Sequence, residues 1–518
     1  MDTSRTSTTI ERIEWAFVLL GALFCLSQLI IGFDRPILDE FALRQTQTAI
    51  STYWMMKGGP WLAYPTPVLG SPWSIPLEFP LYQWIVATLA SHIHLLTLDE
   101  AGRVVNEGFF FACLWPLWRF TSHFKKGQSL FRICSTLLLF SPIYVFWSRT
   151  FMMESTALFF SIWFVAAIAD HLNSPSTYGL LESTLTGSLA ASIKITTFLG
   201  FSFAGAIIVV YAIYCRRDRI WSPKQLYPIF QIALATALSV VALCAWTHYS
   251  DLVKSQNLIG EFLTSSALSR WNFGTLSQRV SPALWRVVLM RAPNETFGSW
   301  LPVGLVTALA LFRLGRRQLA IFFTLLALYV APYLIFSSLH TIHNYYQYAN
   351  AVFLILASGY AIFCIGLLSP RSSVALLACL VLFQVYGYSK YFYAVMTGPA
   401  NRDQQILLAS YIRKSVPQDQ VLMGFGLLWS SEIPYYSERR ALLIPDQINI
   451  YTPLSASTLS AIAADPLRYT DGERIGAIIV CPNKLSEDIK TKDSYRELLD
   501  VVTQHRSPSV VGYCVIYQ

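Results

Sequence analysis

Residues 14–44 read EWAFVLLGALFCLSQLIIGFDRPILDEFALR, and the change of character inside this stretch decides the fold. Its first part, 14–33, is almost wholly apolar and as long as the roughly 20 residues a helix needs to cross a hydrocarbon layer. Directly behind it come Asp34, Arg35, Asp39, Glu40 and Arg44. Arg5 and Arg12 precede the block, its apolar region is long, and no small-residue cleavage site follows. It therefore reads as a retained first span and not as a signal peptide.

The same pattern recurs along the chain. Further apolar blocks lie near 103–121, 131–148, 155–172, 180–196, 198–214, 227–247, 298–314, 319–337, 347–367 and 372–394, which makes eleven expected helices. Backbone groups in lipid must bond internally, so the blocks are expected as helices. The alternation a membrane barrel requires is absent. Of the 518 residues 54% are hydrophobic and only 13% charged, against about 25% charged in an ordinary soluble domain. The net charge of +8 is spread over short loops and forms no single patch, so nucleic acid is not an expected partner.

Three basic clusters set the orientation: Arg119, Lys125, Lys126 and Arg132; Arg216, Arg217 and Arg219; Arg313, Arg316 and Arg317. A cytoplasmic N-terminus puts all three in the cytoplasm, and the odd number of spans leaves the C-terminus outside. The block 79–98 would reverse this order if it crossed, so it is expected to lie along the interface, where Trp84, His92 and His94 suit it. The expected location is the plasma (inner) membrane.

Two long outer loops follow, 34–102 and 248–297. The first carries an expected amphipathic helix at 41–57, with Ile50, Tyr53 and Trp54 on one side and Arg44, Gln47 and Ser51 on the other. The proline-rich run GGPWLAYPTPVLGSPWSIPLEFP behind it excludes regular helix. Beyond residue 397 the composition turns polar. QVLMGFG, IGAIIVCP and VVGYCVIYQ read as strands, NRDQQILLASYIRKS and SEDIKTKDSYRELLDVV as helices. The expected organisation is a mainly α membrane bundle over 1–397 and a small extracytoplasmic α/β domain over 398–518. Of nine cysteines only Cys481 and Cys514 lie in the polar tail, and spacing alone leaves their pairing open.

Several groups could carry chemistry. Asp39 and Glu40 are adjacent carboxylates at the mouth of the bundle, where one could serve as a general base tuned by burial and neighbours; they could equally be topological anchors. Arg44, one turn beyond Glu40, could hold it ionised or bind phosphate. Glu78, Arg103, Arg149 and Glu154 fall at the outer ends of spans, where charge is costly unless it faces a cavity or finds a partner. Lys194 interrupts an apolar run and either snorkels or meets an anionic lipid phosphate. His340, His343, Tyr345 and Tyr346 lie at an outer boundary. The two histidines leave a divalent metal open without making a zinc site. His248, Asp251 and Lys254 add little. No Gly-rich nucleotide loop, HExxH or paired CxxC is present, so an ATP-driven pump or zinc protease finds no support.

In order, DEFALRQTQTA after the first span, EFPLYQW, Arg103, SRTFMMES before the fourth span and LHTIHNYYQYANA before the tenth resemble the C superfamily (GT-C) of membrane glycosyltransferases. The likeness is nearest to bacterial relatives of protein O-mannosyltransferases and of the lipid A aminoarabinose transferase, and covers about residues 10–370. It implies a catalytic centre at Asp39 and Glu40, with Glu78 as a further acidic position. Glu154 stands where many relatives have Asp, and Tyr345 and Tyr346 match aromatic positions near the lipid phosphate. The implied reaction moves a sugar from a polyprenyl-phosphate donor to an acceptor hydroxyl on a glycan, lipid or protein. Arg44, Arg103 and Lys194 would meet the departing phosphate. A membrane transporter of a polar or lipid-linked substrate is the other class kept open.

Overall fold

The computed structural model describes residues 2–215, 223–398, 402–445, 454–482 and 492–518. The arginine cluster at 216–219 and the start of the helix expected at 486–502 lie outside the described residues. The chain divides into two compact units. One comprises Met1–Phe33, Arg103–Trp246 and Arg270–Thr397; the other comprises Asp34–Gly102, Thr247–Ser269 and Gly398–Gln518.

In the first unit all eleven apolar blocks are helical. Seven helices among the described residues are long and apolar enough to cross a membrane, and an eighth span results if the pair Pro282–Phe297 and Trp300–Arg313, bent by 100°, counts as one. The remaining blocks are short or interrupted. The helix Gly127–Phe140 stops at Ser141, in extended conformation, and Pro142 starts the next, because a residue before proline is pushed out of the helical region. Glu154–Asn173 and Asn344–Leu368 are the most enclosed spans, with 83% and 78% of their apolar windows buried, so they form the centre of the bundle. Ion pairs tie helix ends together. Arg119 bonds Asp170 and Glu182, His123 joins Asp170 at 2.7 Å, and Arg132 Nε donates to Glu14 at 2.8 Å. Basic residues that set the orientation in sequence thus also hold the helices in register.

The second unit is built on a five-stranded sheet in the order β2-β1-β3-β5-β4: β1 Val421–Phe425, β2 Ala441–Ile444, β3 Ile475–Val480, β4 Pro508–Val511 and β5 Cys514–Tyr517. β1 lies parallel to β2 and β3, while β5 lies antiparallel to β3 and β4. The run VVGYCVIYQ, expected as one strand, is a hairpin that turns at Gly512 with φ +61°, a backbone angle glycine adopts without steric cost. The short strand ALLI had no alternation to reveal it, because all four of its residues are buried.

The first outer loop packs in this unit with the sheet. Segment 67–70 runs beside β2: Ala441 N donates to Pro67 O at 2.9 Å, Leu443 N to Val68 O at 2.9 Å, and Gly70 N to Ala441 O at 3.1 Å. The loop so covers an otherwise open sheet edge. Asn257 Nδ2 donates to the carbonyls of Gly70 and Pro72 at 3.0 and 2.9 Å, and Ser250 Oγ to Pro76 O at 2.6 Å. Block 79–98 contains the helix Leu81–His92, whose 12 residues span only about 18 Å and cannot cross a bilayer.

Cys481 and Cys514 form a disulfide between the ends of β3 and β5. Closing its 33-residue separation contributes about 3–4 kcal/mol in the loop-entropy picture. Non-reducing peptide mapping is expected to recover the two residues in one linked fragment. The Cys481→Ala/Cys514→Ala variant is expected to lose that stability as faster amide exchange in β3 and β5.

Candidate functional site

In the second unit the carboxylates sit where a turn feeds a polar helix. Asp39 and Glu40 precede the helix Ala42–Met56, which Phe41 starts from a left-handed conformation, φ 50°. Gln45 holds both: its Nε2 donates to Asp39 Oδ1 and, at 3.0 Å, to Glu40 O. Arg44, on the same turn, pairs with Glu78, and its Nη1 donates to Gln47 Oε1 at 2.6 Å. Glu78 is held through its backbone by the buried Tyr64, whose hydroxyl donates to Glu78 O at 2.9 Å and accepts from Leu77 N at 2.6 Å. Asp39, Glu40, Arg44 and Glu78 are thus brought together by one helix turn and one tyrosine clamp.

Burial, and after it the charge of Asp39, raises the pKa of Glu40 above the ordinary glutamate value. A carboxylate whose proton affinity burial has raised is the kind of group a general base uses. The Ala42–Met56 helix buries Gln45, Thr46, Gln47, Thr48, Ser51 and Thr52, an unusual concentration of polar side chains. Gln47 Nε2 has no hydrogen-bond partner among the described residues. On the polar side of this helix Gln47 and Ser51 are enclosed. The reason is tertiary, since Ser51 Oγ bonds Thr66 Oγ1 at 2.8 Å.

The first unit carries its own polar cluster. Glu154 opens the helix Glu154–Asn173 and pairs with Lys194, which sits at the break between Thr177–Ile193 and Ile195–Cys215. Both side chains are almost fully buried. Lys194 Nζ also lies 5.1 Å and 4.7 Å from the ring centres of Tyr345 and Tyr346, so Glu154, Lys194, Tyr345 and Tyr346 form one group. A helix N-terminus favours the carboxylate here, and the ammonium gains from the ring faces.

Arg103 is wholly buried on the helix Leu98–Ala112. One turn on stands Glu107, which sequence reasoning missed; Ser148 and Arg149 are its polar neighbours. Its only sequence signal was an acid inside an apolar block. Asn106, next to it, fixes the turn that delivers Glu154: Nδ2 donates to Trp147 O and Thr150 O at 2.8 and 2.9 Å, and Oδ1 accepts from Ser155 N at 3.2 Å. The guanidinium of Arg149 lies 4.6 Å from the Phe146 ring centre.

The histidines do not share a helix face, because the helix Ser337–Ile342 ends before His343. His340 lies against Tyr333 and His343 against Tyr345, with ring centres 4.5 and 5.3 Å apart. Among the described residues no three His, Cys, Asp or Glu side chains converge. His340 and His343 therefore present no metal cage among the described residues. In the second loop Asp251 and Lys254 pair with each other at 2.8 Å.

Comparison with known proteins adds the fold. No sequence family matches the chain, and no curated protein is significantly similar to it. Solved structures are similar. ArnT from Cupriavidus metallidurans bound to undecaprenyl phosphate superposes with TM-score 0.63 at 12% identity, covering 97% of this chain and 98% of that one. The oligosaccharyltransferase AglB from Archaeoglobus fulgidus, in complex with an inhibitory peptide and a dolichol-phosphate, gives 0.54 at 10% identity over 98% and 74%. The mycobacterial arabinofuranosyltransferase AftD gives 0.51 at 12% over 98% and 40%. The chain has the GT-C fold, including its small C-terminal sheet domain.

Two outcomes follow from the clusters. A raised carboxyl pKa supports the folded state fully below the unfolded value, and that support is lost as pH rises through the folded value. Glu40→Gln, neutral throughout, is therefore expected to raise the melting temperature at pH 8 and to change it little at pH 4. Lys194→Met leaves Glu154 buried without its partner and is expected to cost about 3–5 kcal/mol. Adding Glu154→Gln to Lys194→Met should recover most of that loss in detergent unfolding measurements.

Proposed function

We propose that the protein transfers a sugar from a polyprenyl-phosphate donor to an acceptor hydroxyl on the extracytoplasmic side of the membrane. The observation that carries this reading is the Asp39–Glu40 pair, fastened by Gln45 beside the Arg44–Glu78 pair, in a chain of GT-C fold. The bound undecaprenyl phosphate of ArnT and the dolichol-phosphate of AglB support a lipid-phosphate donor here. The disulfide supports an extracytoplasmic sheet domain, since such bonds persist in oxidising compartments.

In this reading Asp39 or Glu40 takes the proton of the acceptor hydroxyl. The acceptor oxygen attacks the anomeric carbon, and the bond from that carbon to the lipid phosphate breaks. The phosphate oxygen leaves with the electron pair, through a transition state of oxocarbenium character. Direct displacement inverts the anomeric configuration. Arg44, Arg103 and Lys194 are assigned to the phosphate charge that develops on departure, a preorganised electrostatic role, with Tyr345 and Tyr346 flanking the lysine. Glu78 keeps Arg44 oriented, and Glu154 does the same for Lys194. These carboxylates hold the cations in place until a phosphate competes for them.

Purified protein in liposomes, offered a panel of polyprenyl-phosphate sugars and a broad acceptor mixture, tests this by release of lipid phosphate. Release by the wild type that falls about a hundred- to ten-thousandfold in Asp39→Asn or Glu40→Gln is the expected result and names the base. Release untouched by either change would remove the carboxylate pair from the mechanism. No release from any donor by folded protein would overturn the transfer reading and favour transport.

A further inference from the structure

The first unit contains a second polar site that the transfer reading does not use. A cavity of about 300 Å³ is lined by Arg286, Met290, Arg291, Asn294, Glu295 and Tyr391, at the small end of the range for ligand pockets. Its walls are one element on each side: the kinked stretch Pro282–Phe297 that leads into the span Trp300–Arg313, and the end of the span Pro370–Thr397. These elements are locked at one point. Gly298 adopts φ +76°, and a Cβ there would come 1.8 Å from Phe383 O; a Cβ on Gly387 would come 2.1 Å from Gly298 Cα. Tyr391 stands one helical turn beyond Gly387. The cavity is therefore built where two spans end.

Its polar groups are arranged for an anion. Arg291 uses its two terminal nitrogens on the carbonyls of His340 and Thr341, which fixes the guanidinium, while its Nε is buried without a partner. The side chains of Arg286 and Asn294 make no hydrogen bond or ion pair among the described residues. Glu295 accepts from Gln347 at 3.2 Å, so the one acid in the wall is already engaged. Lys390 lies 5.1 Å from the ring centre of Tyr391 and adds positive charge behind that wall. The lining thus offers the Arg286 guanidinium, the Asn294 amide and a tyrosine, with the held Arg291 adding positive charge, a donor set that suits a phosphate.

What surrounds the cavity indicates which phosphate. Trp285 and Leu289, next to lining residues in sequence, and Trp300, Tyr386 and Tyr393, on the same two spans, are exposed. Aromatic residues at the ends of spans mark the headgroup level of a bilayer. From this placement we propose that the cavity binds the phosphate of a membrane phospholipid headgroup, using Arg286, Arg291 and Asn294, with the acyl chains against the exposed apolar residues. These three are distinct from the groups assigned to the sugar donor.

The test measures binding to the purified full-length protein in neutral nanodiscs. Native mass spectrometry and melting temperature are read after adding phosphatidylglycerol, phosphatidylcholine, undecaprenyl phosphate or inorganic phosphate. Retention of phosphatidylglycerol and a raised melting temperature are expected for the wild type. Affinity is expected to fall about tenfold in both Arg286→Ala and Asn294→Ala, which remove no internal hydrogen bond, and to recover in part in Arg286→Lys. Equal retention in the wild type and both alanine variants would overturn the assignment. A shift by inorganic phosphate of the same size would make this a soluble-anion site, and an Arg286-dependent shift by undecaprenyl phosphate alone would make it part of the donor site. Either result would sink the phospholipid reading.

Discussion

The backbone of segment 67–70 has to find hydrogen-bond partners, and much of the second unit follows from where it finds them. The surrounding run of prolines excludes regular helix and pairs with itself at the antiparallel bridge of Pro65 with Ser74, where Thr66 N donates to Trp73 O at 2.9 Å; buried peptide groups left unpaired beyond it are costly. β2, bonded to β1 on one side, offers carbonyls and amides on the other, and Pro67, Val68 and Gly70 take them. Gly70 suits this approach, since a Cβ there would come 2.5 Å from Tyr469 O. With this stretch fixed, Asn257 and Tyr64 can hold its two ends, and Glu78 meets Arg44. Tyr436 of the sheet domain then anchors the other end of the loop by accepting from Ile37 N at 2.7 Å, just before Asp39. The C-terminal domain is in this sense the scaffold of the carboxylate loop.

In the bundle the governing constraint is the cost of charge in a low-dielectric interior. Glu154 and Lys194 are nearly inaccessible, and neither would be tolerated there alone. Their pairing couples the start of one helix to the break between two others. The aromatic faces of Tyr345 and Tyr346 complete the enclosure of the ammonium. Asn106 does comparable work by bonding three backbone groups on both sides of Glu154, Trp147 O and Thr150 O before it and Ser155 N after it. An amide was required there because the turn offers both carbonyls and an N–H.

Sequence reading succeeded where one physical variable dominated. Hydropathy marked all eleven helical blocks of the bundle, because lipid leaves the backbone no other solution. The apolar runs at 421–425 and 475–480 marked two sheet strands. It failed where a partner distant in the chain decides. Nothing local distinguishes Tyr64 as the residue that bonds the backbone of Leu77 and Glu78, and Glu107 looked like an ordinary interruption of a span. The polar side of the 42–56 helix is buried against the loop that follows, an enclosure no local pattern indicates.

The sequence by itself determined that this is a multi-span helical membrane protein with a small terminal α/β domain, since burial in lipid and strand periodicity are written residue by residue. Tertiary structure alone decided which partners meet: Arg44 with Glu78, Lys194 with Glu154, Cys481 with Cys514. Each pair joins residues 33 to 40 positions apart. No local propensity encodes such a meeting; it follows only once the segments between them have packed.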